Sequence, residues 1–376
     1  MKRFVDATVG VPLVWFLGFF SERKLGEIPK PNKILIIKLA AMGDTIILVP
    51  VIKALREAFP DAQIHWLVSP INKSLAQTFP WIDRIWNLAK MGPFSIFKLI
   101  TNLRKEQFDV VVDLEQWSRG TGFISFFTKA PYRIGFKTPG QYRDGLFTHV
   151  HEKKFEDHEI YDFYHLLSLL HPLQVHSELE LWETERGKEE LRHQMNRNGD
   201  LKKKNYLKIL IHPGCGKDGF PREWPLSDYA LLGHWLMKTF QGKIFLTGGS
   251  DDQRKTDQLS KLLGRKVIDF GGRLSWEATL SLVMEMDLVV SGNTGIMHMA
   301  AAFKKKQIAL HGPTDPKIWG PLNKNAVVIQ SPCPQCPSLK LGFEYHQLNQ
   351  DCMKKIPLDQ VKKAVRSLID NQGEIC

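Results

Sequence analysis

Several signatures are missing from this 376-residue chain, and each absence removes a class of protein. No G-x-G-x-x-G follows the first apolar strand, there is no G-x-x-x-x-G-K-[ST], and no D-x-D stands ready to hold a metal on a diphosphate. A dinucleotide-dependent oxidoreductase, a P-loop ATPase and a metal-dependent glycosyl transferase all lose support. Cysteine is scarce: five residues in so long a chain make no disulfide framework, and the odd number points to reduced thiols in a cytosolic setting. No uncharged apolar run reaches the roughly 20 residues that span a bilayer. What is abundant is positive charge. The net formal charge is +11 and the pI near 9.3, so the surface should attract an anionic partner. Basic residues form no stripe interleaved with aromatics, so nucleic acid is not the expected one. At 43% hydrophobic and this length, two cores are expected.

The start, "MKRFVDATVGVPLVWFLGFFSERK", is apolar between basic ends and has no small-residue cleavage site after it. Residues 1–30 read either as a helix packed on the protein's own surface or as an interfacial anchor. In the second reading Trp15, Phe16, Phe19 and Phe20 sit among headgroups, and Lys2, Arg3, Arg23 and Lys24 face anionic lipid. From Pro29 onward, strand-like and helix-like segments alternate. "KILIIKL" (33–39) reads as a buried strand, "TIILVPVIKALREAF" (45–59) as an amphipathic helix and "QIHWLVS" (63–69) as a parallel strand. Pro50 must kink that helix or lie in its true first turn. "FDVVVDLE" (108–115) is another buried strand, and the middle of the chain is less regular. The charged stretch 180–205 suits a connection between domains. A second alternating series then runs from "YLKILIHPG" through "KIFLTGG", "KVIDF", "DLVVSGN" and "KQIALHGP", with helices from Ser227, Asp251, Ser275 and Thr294. The expected organisation is an α/β chain: an N-terminal segment (1–30), a Rossmann-like domain (31–185) and a second one (186–376) ending in a helix. Each has a doubly wound parallel sheet, and the two face each other across a cleft.

Ligands of such sheets lie beyond the carboxyl ends of the strands, and four motifs fall there. Asp44, after Gly43, ends the first strand; the residues alone favour a helix N-cap, with a general base as the rival. In "SGNTGIMHMAAAF" (291–303), Asn293, Thr294 and Gly295 form a turn into a helix whose free amides make an anion site, with His298 one turn on. In "HPGCGKDGFPREWP", Gly214 leaves the loop flexible while Lys217 and Arg222 supply charge for a leaving diphosphate, unless it is an ordinary surface loop. In "LTGGSDD", Gly248 and Gly249 precede Asp251 and Asp252, which either bind a ribose hydroxyl or cap the next helix.

Taken in series, "KILIIKLAAMGDTIILVPVIKALREAFPDAQIHWLV", "LIHPGCGKDGFPREWPLSDYALL", "IFLTGGSDD" and "DLVVSGNTGIMHMAAAF…IALHGPTDP" resemble glycosyltransferase family 9, the lipopolysaccharide heptosyltransferases. The resemblance covers residues 33–69 and 209–321 and implies a GT-B architecture. It also implies inverting transfer of heptose from ADP-heptose to a lipid-linked core sugar, with no metal and no cofactor. The N-terminal domain would hold the acceptor and the C-terminal one the donor. In that family the M-G-D carboxylate is the proposed base, which makes Asp44 the base here and reverses the cap reading. Arg222 would meet the diphosphate, Thr294, Gly295 and His298 would form the phosphate turn, and Asp251 or Asp252 would lie near the ribose. Acceptor contacts are expected from Gly43, Arg119, Arg133 and Arg143, with Lys137 nearby, unless these are simply a solvated basic surface. The implied location is cytoplasmic, peripheral to the inner membrane. Two departures stand out. Many members carry Asp where Asn293 stands, and only three cysteines, Cys333, Cys336 and Cys352, cluster near the C terminus. A zinc site would need His346 or Cys376 as fourth ligand, and buried unliganded thiols are the expectation. The alternatives are another nucleotide sugar and glycan acceptor, or a sugar-nucleotide epimerase of the same build.

Overall fold

The computed structural model describes residues 10–20, 26–89, 92–198, 206–216, 219–339 and 351–370. The chain divides into two compact units, Met1–Ser177 and Glu178–Cys376. In the first unit β1 (Lys33–Ile37), β2 (Gln63–Val68), β3 (Arg84–Asn87), β4 (Val110–Asp113), β5 (Tyr132–Lys137) and β6 (His149–Glu152) form one parallel sheet in the order β3-β2-β1-β4-β5-β6. In the second, β7 (Lys208–His212), β8 (Lys243–Leu246), β9 (Ile268–Asp269), β10 (Leu288–Gly292), β11 (Lys306–His311) and β12 (Ala326–Gln330) repeat that order as β12-β11-β10-β7-β8-β9. The order in which strands are added reverses beside the first strand of each sheet, between β1 and β4 and between β7 and β10, and a doubly wound sheet opens its ligand crevice there.

The central strands are apolar without alternation, as strands covered on both faces must be. The short or half-exposed strands β3, β5, β6 and β12 carry weaker patterns, which is why the middle of the chain read as irregular. The single helix expected over 45–59 is two, Met42–Ile47 and Val49–Ala58. Pro50 lies in the first turn of the second, where its missing N–H costs no intrahelical bond. The charged stretch after residue 180 contains the helix Glu185–Asn198, which packs on the helix Trp276–Met284 within the second unit. A Cβ at Gly187 would come within 2.6 Å of the Glu277 carbonyl oxygen, so the two backbones nearly touch. The C-terminal helix Leu358–Asp370 buries Val361 and Val365 in the core beneath β11 and β12.

One expectation fails. Cys336 and Cys352 are joined in a disulfide rather than standing as free thiols, because the turn at Cys333–Cys336 folds the chain back on the Cys352 segment. Cys333 remains free and buried beside them. His346 and Cys376 lie outside the described residues, as do Lys2, Arg3, Arg23 and Lys24.

Candidate active site

At the switch point of the first sheet, β1 runs into Lys38 and β4 into Glu115. Lys38 is 2% exposed, and its Nζ donates to Asp44 Oδ2 at 2.8 Å and lies 3.7 Å from Glu115 Oε2. Burial opposes the ammonium charge, but Asp44 and Glu115 outweigh it and hold Lys38 well above the usual lysine value. The other Glu115 oxygen accepts from the backbone N–H groups of Leu39 (2.7 Å) and Ala40 (2.9 Å), tying the β1 loop to the β4 loop. Asn72 completes the frame by donating to the Lys38 carbonyl at 2.9 Å. Asp44 itself is one-fifth exposed, so a carboxylate oriented by a buried cation has access to solvent. The N-cap of its helix is Ala41, and Asp44 makes no cap hydrogen bond there. Gly43 lies beside it in the same first turn, half-buried.

The arginines expected at an acceptor take other partners. Arg143 is fully buried, ion-paired with Asp113 and donating to the Glu115 carbonyl, so it braces the Asp44 frame from behind instead of presenting a surface charge. Burial pushes the Asp113 carboxyl up to about 6 against the pull of Arg143. Arg119, also buried, donates to the Gln141 carbonyl at 2.9 Å. Arg133 donates to the carbonyls of Leu146 (3.0 Å) and Ala130 (2.8 Å). Lys137 pairs with Glu152 at 3.5 Å on the surface.

At the second switch point, β10 ends at Gly292 and leads through Asn293 to the helix Gly295–Ala302, for which Thr294 is an extended N-cap whose side chain caps nothing. Arg222, from the short 3-10 turn Phe220–Arg222 after β7, reaches across and donates to the Asn293 carbonyl at 3.2 Å. Arg222 Nε and Thr294 Oγ1 are both buried and have no hydrogen-bond partner among the described residues. Unpaired buried donors are costly, and here they adjoin the amide-rich, positive end of a helix. Donors of this kind at a helix N-terminus are what an anionic oxygen pairs with. His298 is buried on the first turns of that helix, and His311 closes the neighbouring β11.

The two carboxylates after β8 part company. Asp251 is exposed, whereas Asp252 is buried and its oxygens accept from Gly216 N (3.1 Å) and Gly249 N (3.3 Å), clamping the β7 loop to the β8 loop. A Cβ at Gly214 would stand 2.1 Å from Asp252 Oδ1, and one at Gly248 2.7 Å from Asp252 Cβ, which is why both positions are glycine. Lys217 lies outside the described residues. Sequence reasoning missed Lys38 and Glu115, although the charges closing each apolar strand, Lys38 after β1 and Asp113 with Glu115 at the end of β4, were a visible signal. It also passed over the Gly214-x-Gly216-x-x-Gly219 spacing behind β7. That spacing leads into a three-residue 3-10 turn and not into a long helix, so it is no dinucleotide fingerprint.

A model of glycosyltransferase family 9 (heptosyltransferase) matches residues 96–347. The lipopolysaccharide core heptosyltransferase OpsX of Haemophilus influenzae is 22% identical over 348 residues, covering 90% of this chain and 97% of that protein. Among solved structures, a glycosyl transferase family 9 protein from Veillonella parvula superposes with a TM-score of 0.78 at 17% identity, over 93% of this chain and all of that one. The E. coli ADP-heptose lipopolysaccharide heptosyltransferase II superposes with a TM-score of 0.71 at 20% identity, covering 90% and 99%.

Proposed function

This chain belongs to glycosyltransferase family 9, the heptosyltransferases, and from that premise we propose that it moves heptose from ADP-heptose to a lipid-linked lipopolysaccharide core sugar, with inversion and without a metal. The observation that carries the donor half is the pair of unpaired buried donors, Arg222 Nε and Thr294 Oγ1, at the mouth of the helix Gly295–Ala302. As the glycosidic bond to the diphosphate breaks, negative charge grows on the leaving oxygen. A guanidinium and a helix terminus already in place stabilise that charge, the task a metal performs in other transferases. Asn293, being uncharged, adds no opposing charge beside the phosphates. Asp251 is the carboxylate available to a ribose hydroxyl, since Asp252 is spent on the loop clamp.

For the acceptor half, Asp44 takes the proton of the attacking hydroxyl while that oxygen approaches the anomeric carbon opposite the nucleotide. Lys38 orients the carboxylate and Glu115 orients Lys38. We place the reaction at an anionic membrane surface, because the acceptor is lipid-linked and the chain carries +11. No described helix is long and apolar enough to cross a membrane. The test is a screen of ADP-, UDP- and GDP-sugars against lipid-linked core acceptors, reading released nucleotide. ADP released only when ADP-heptose and acceptor are both present is the expected result. Conversion of a donor to an isomer without acceptor would identify an epimerase instead.

A further inference from the structure

Away from both switch points, the outer edge of the first sheet brings three ligand-type side chains together. β6 ends that sheet and carries His151, and the helix Glu159–Ser168 that follows carries Asp162 and His165 three positions apart, on one face. One atom from each of the three lies within 4.8 Å of the others. His151 Nε2 stands 3.3 Å from Asp162 Oδ1, and the two imidazole rings are 5.4 Å apart. The second oxygen, Asp162 Oδ2, accepts from the buried Lys153 at 2.6 Å. That bond fixes the carboxylate plane and leaves Oδ1 turned toward the histidines, the arrangement by which an outer partner orients a metal ligand.

We propose that His151, Asp162 and His165 form a binding site for a divalent transition ion, best matched by Zn²⁺. Two imidazoles and one carboxylate are a donor set for zinc and its neighbours; Mg²⁺ and Ca²⁺ take oxygen ligands. At bond lengths of about 2.0–2.1 Å, tetrahedral ligand atoms stand roughly 3.4 Å apart, so the present spread closes with a small turn of one side chain. His165 is exposed and free to make that turn. The three residues open on a surface cavity of about 410 Å³ that Glu156 and Asp157 also line, and a water or one of these carboxylates takes the fourth position. A bound ion would pin β6 to its helix. That helix begins at Glu159, which accepts from Gln116 just beyond β4, so the site joins the far side of the frame that holds Asp44.

The test uses the full chain under reducing conditions, titrated with ZnCl₂ and followed by calorimetry and metal analysis, and with CoCl₂ followed by visible absorption. One ion per chain is expected, with a rise in Tm. His165→Ala and His151→Ala should each weaken binding by at least about 100-fold, since loss of an outer partner alone costs about 10–100-fold. A Cys333→Ser/Cys336→Ser/Cys352→Ser variant should keep the ion, and an excess of Mg²⁺ should not displace it. No uptake of Zn²⁺ or Co²⁺ by the parent chain overturns the proposal. So does uptake that survives both histidine variants or is lost with the three cysteines.

Discussion

Whether Asp44 caps a helix or takes a proton turns on what its side chain touches. Its partner is the buried Lys38 ammonium and not a backbone amide. Asp44→Asn should therefore lower the transfer rate by about 10²- to 10⁴-fold and leave ADP-heptose affinity, read by calorimetry, nearly unchanged. A variant that turns over at the parent rate would return Asp44 to a structural role. His311 offers a residue-level prediction about pH. Burial, with Arg222 adding to it, pushes its imidazole from the ordinary 6.5 down to about 4. Between those values the unfolded chain binds a proton that the folded chain refuses. Its contribution is thus fully present above about pH 6.5 and is lost as pH falls through 4, amounting to about 3 kcal/mol. His311→Asn should flatten the fall in urea midpoint across that range; an unaltered slope would show that other groups set it.

Loops and helix ends, more than single side chains, build the proposed donor site. The β7 and β8 loops are locked by Asp252, and the lock leaves no space for a methyl group on Gly214. Gly214→Ala should part the two loops, costing about 1–3 kcal/mol of stability and weakening ADP binding, both measurable by denaturation and calorimetry. Retention of full ADP affinity would detach the clamp from the donor site. Behind Asp44, the β4 loop depends on the fully buried Asp113–Arg143 pair. Arg143→Met strands a buried carboxylate and should destabilise the fold by about 3–5 kcal/mol. Asp113→Leu together with Arg143→Met should recover most of that loss, whereas a role for Arg143 in acceptor contact predicts no recovery of activity. Both motif loops were visible in the sequence as glycines and charges closing apolar runs. Which carboxylate of the Asp251-Asp252 pair turns inward was not, because both occupy the same local pattern and only the neighbouring β7 loop distinguishes them.

For the molecule as a whole, two sheets of identical strand order account for the regular alternation read along the chain. The helix Val11–Gly18 lies against the first unit through buried Val14 and the close approach of Gly18 to Gly145. Trp15, Phe16, Phe19 and Phe20 remain between 58% and 69% exposed. Surface packing and an outward aromatic face thus coexist, although they were opposed as alternatives from sequence. Phe16→Ser/Phe19→Ser/Phe20→Ser should weaken co-sedimentation with anionic vesicles by at least about tenfold, at roughly 1.5 kcal/mol or more per buried aromatic, while transfer to a detergent-dispersed acceptor persists. Vesicle binding equal to the parent's would remove this helix from the membrane contact.

Apolar runs, their lengths and the glycine-bearing turns between them are local properties. They were sufficient for the α/β class, the parallel sheets, and the placing of Asp44, Arg222 and Thr294 at strand ends. Pairings across the sheet were out of reach of that reading. Lys38 meets Glu115, Asp113 meets Arg143, Cys336 meets Cys352, and His151 meets Asp162 and His165 because strand order and helix packing bring them together. Periodicity reports which face of a segment is buried. It carries no information on which charge waits on the adjoining strand, and that choice of partner separates a brace from a surface arginine.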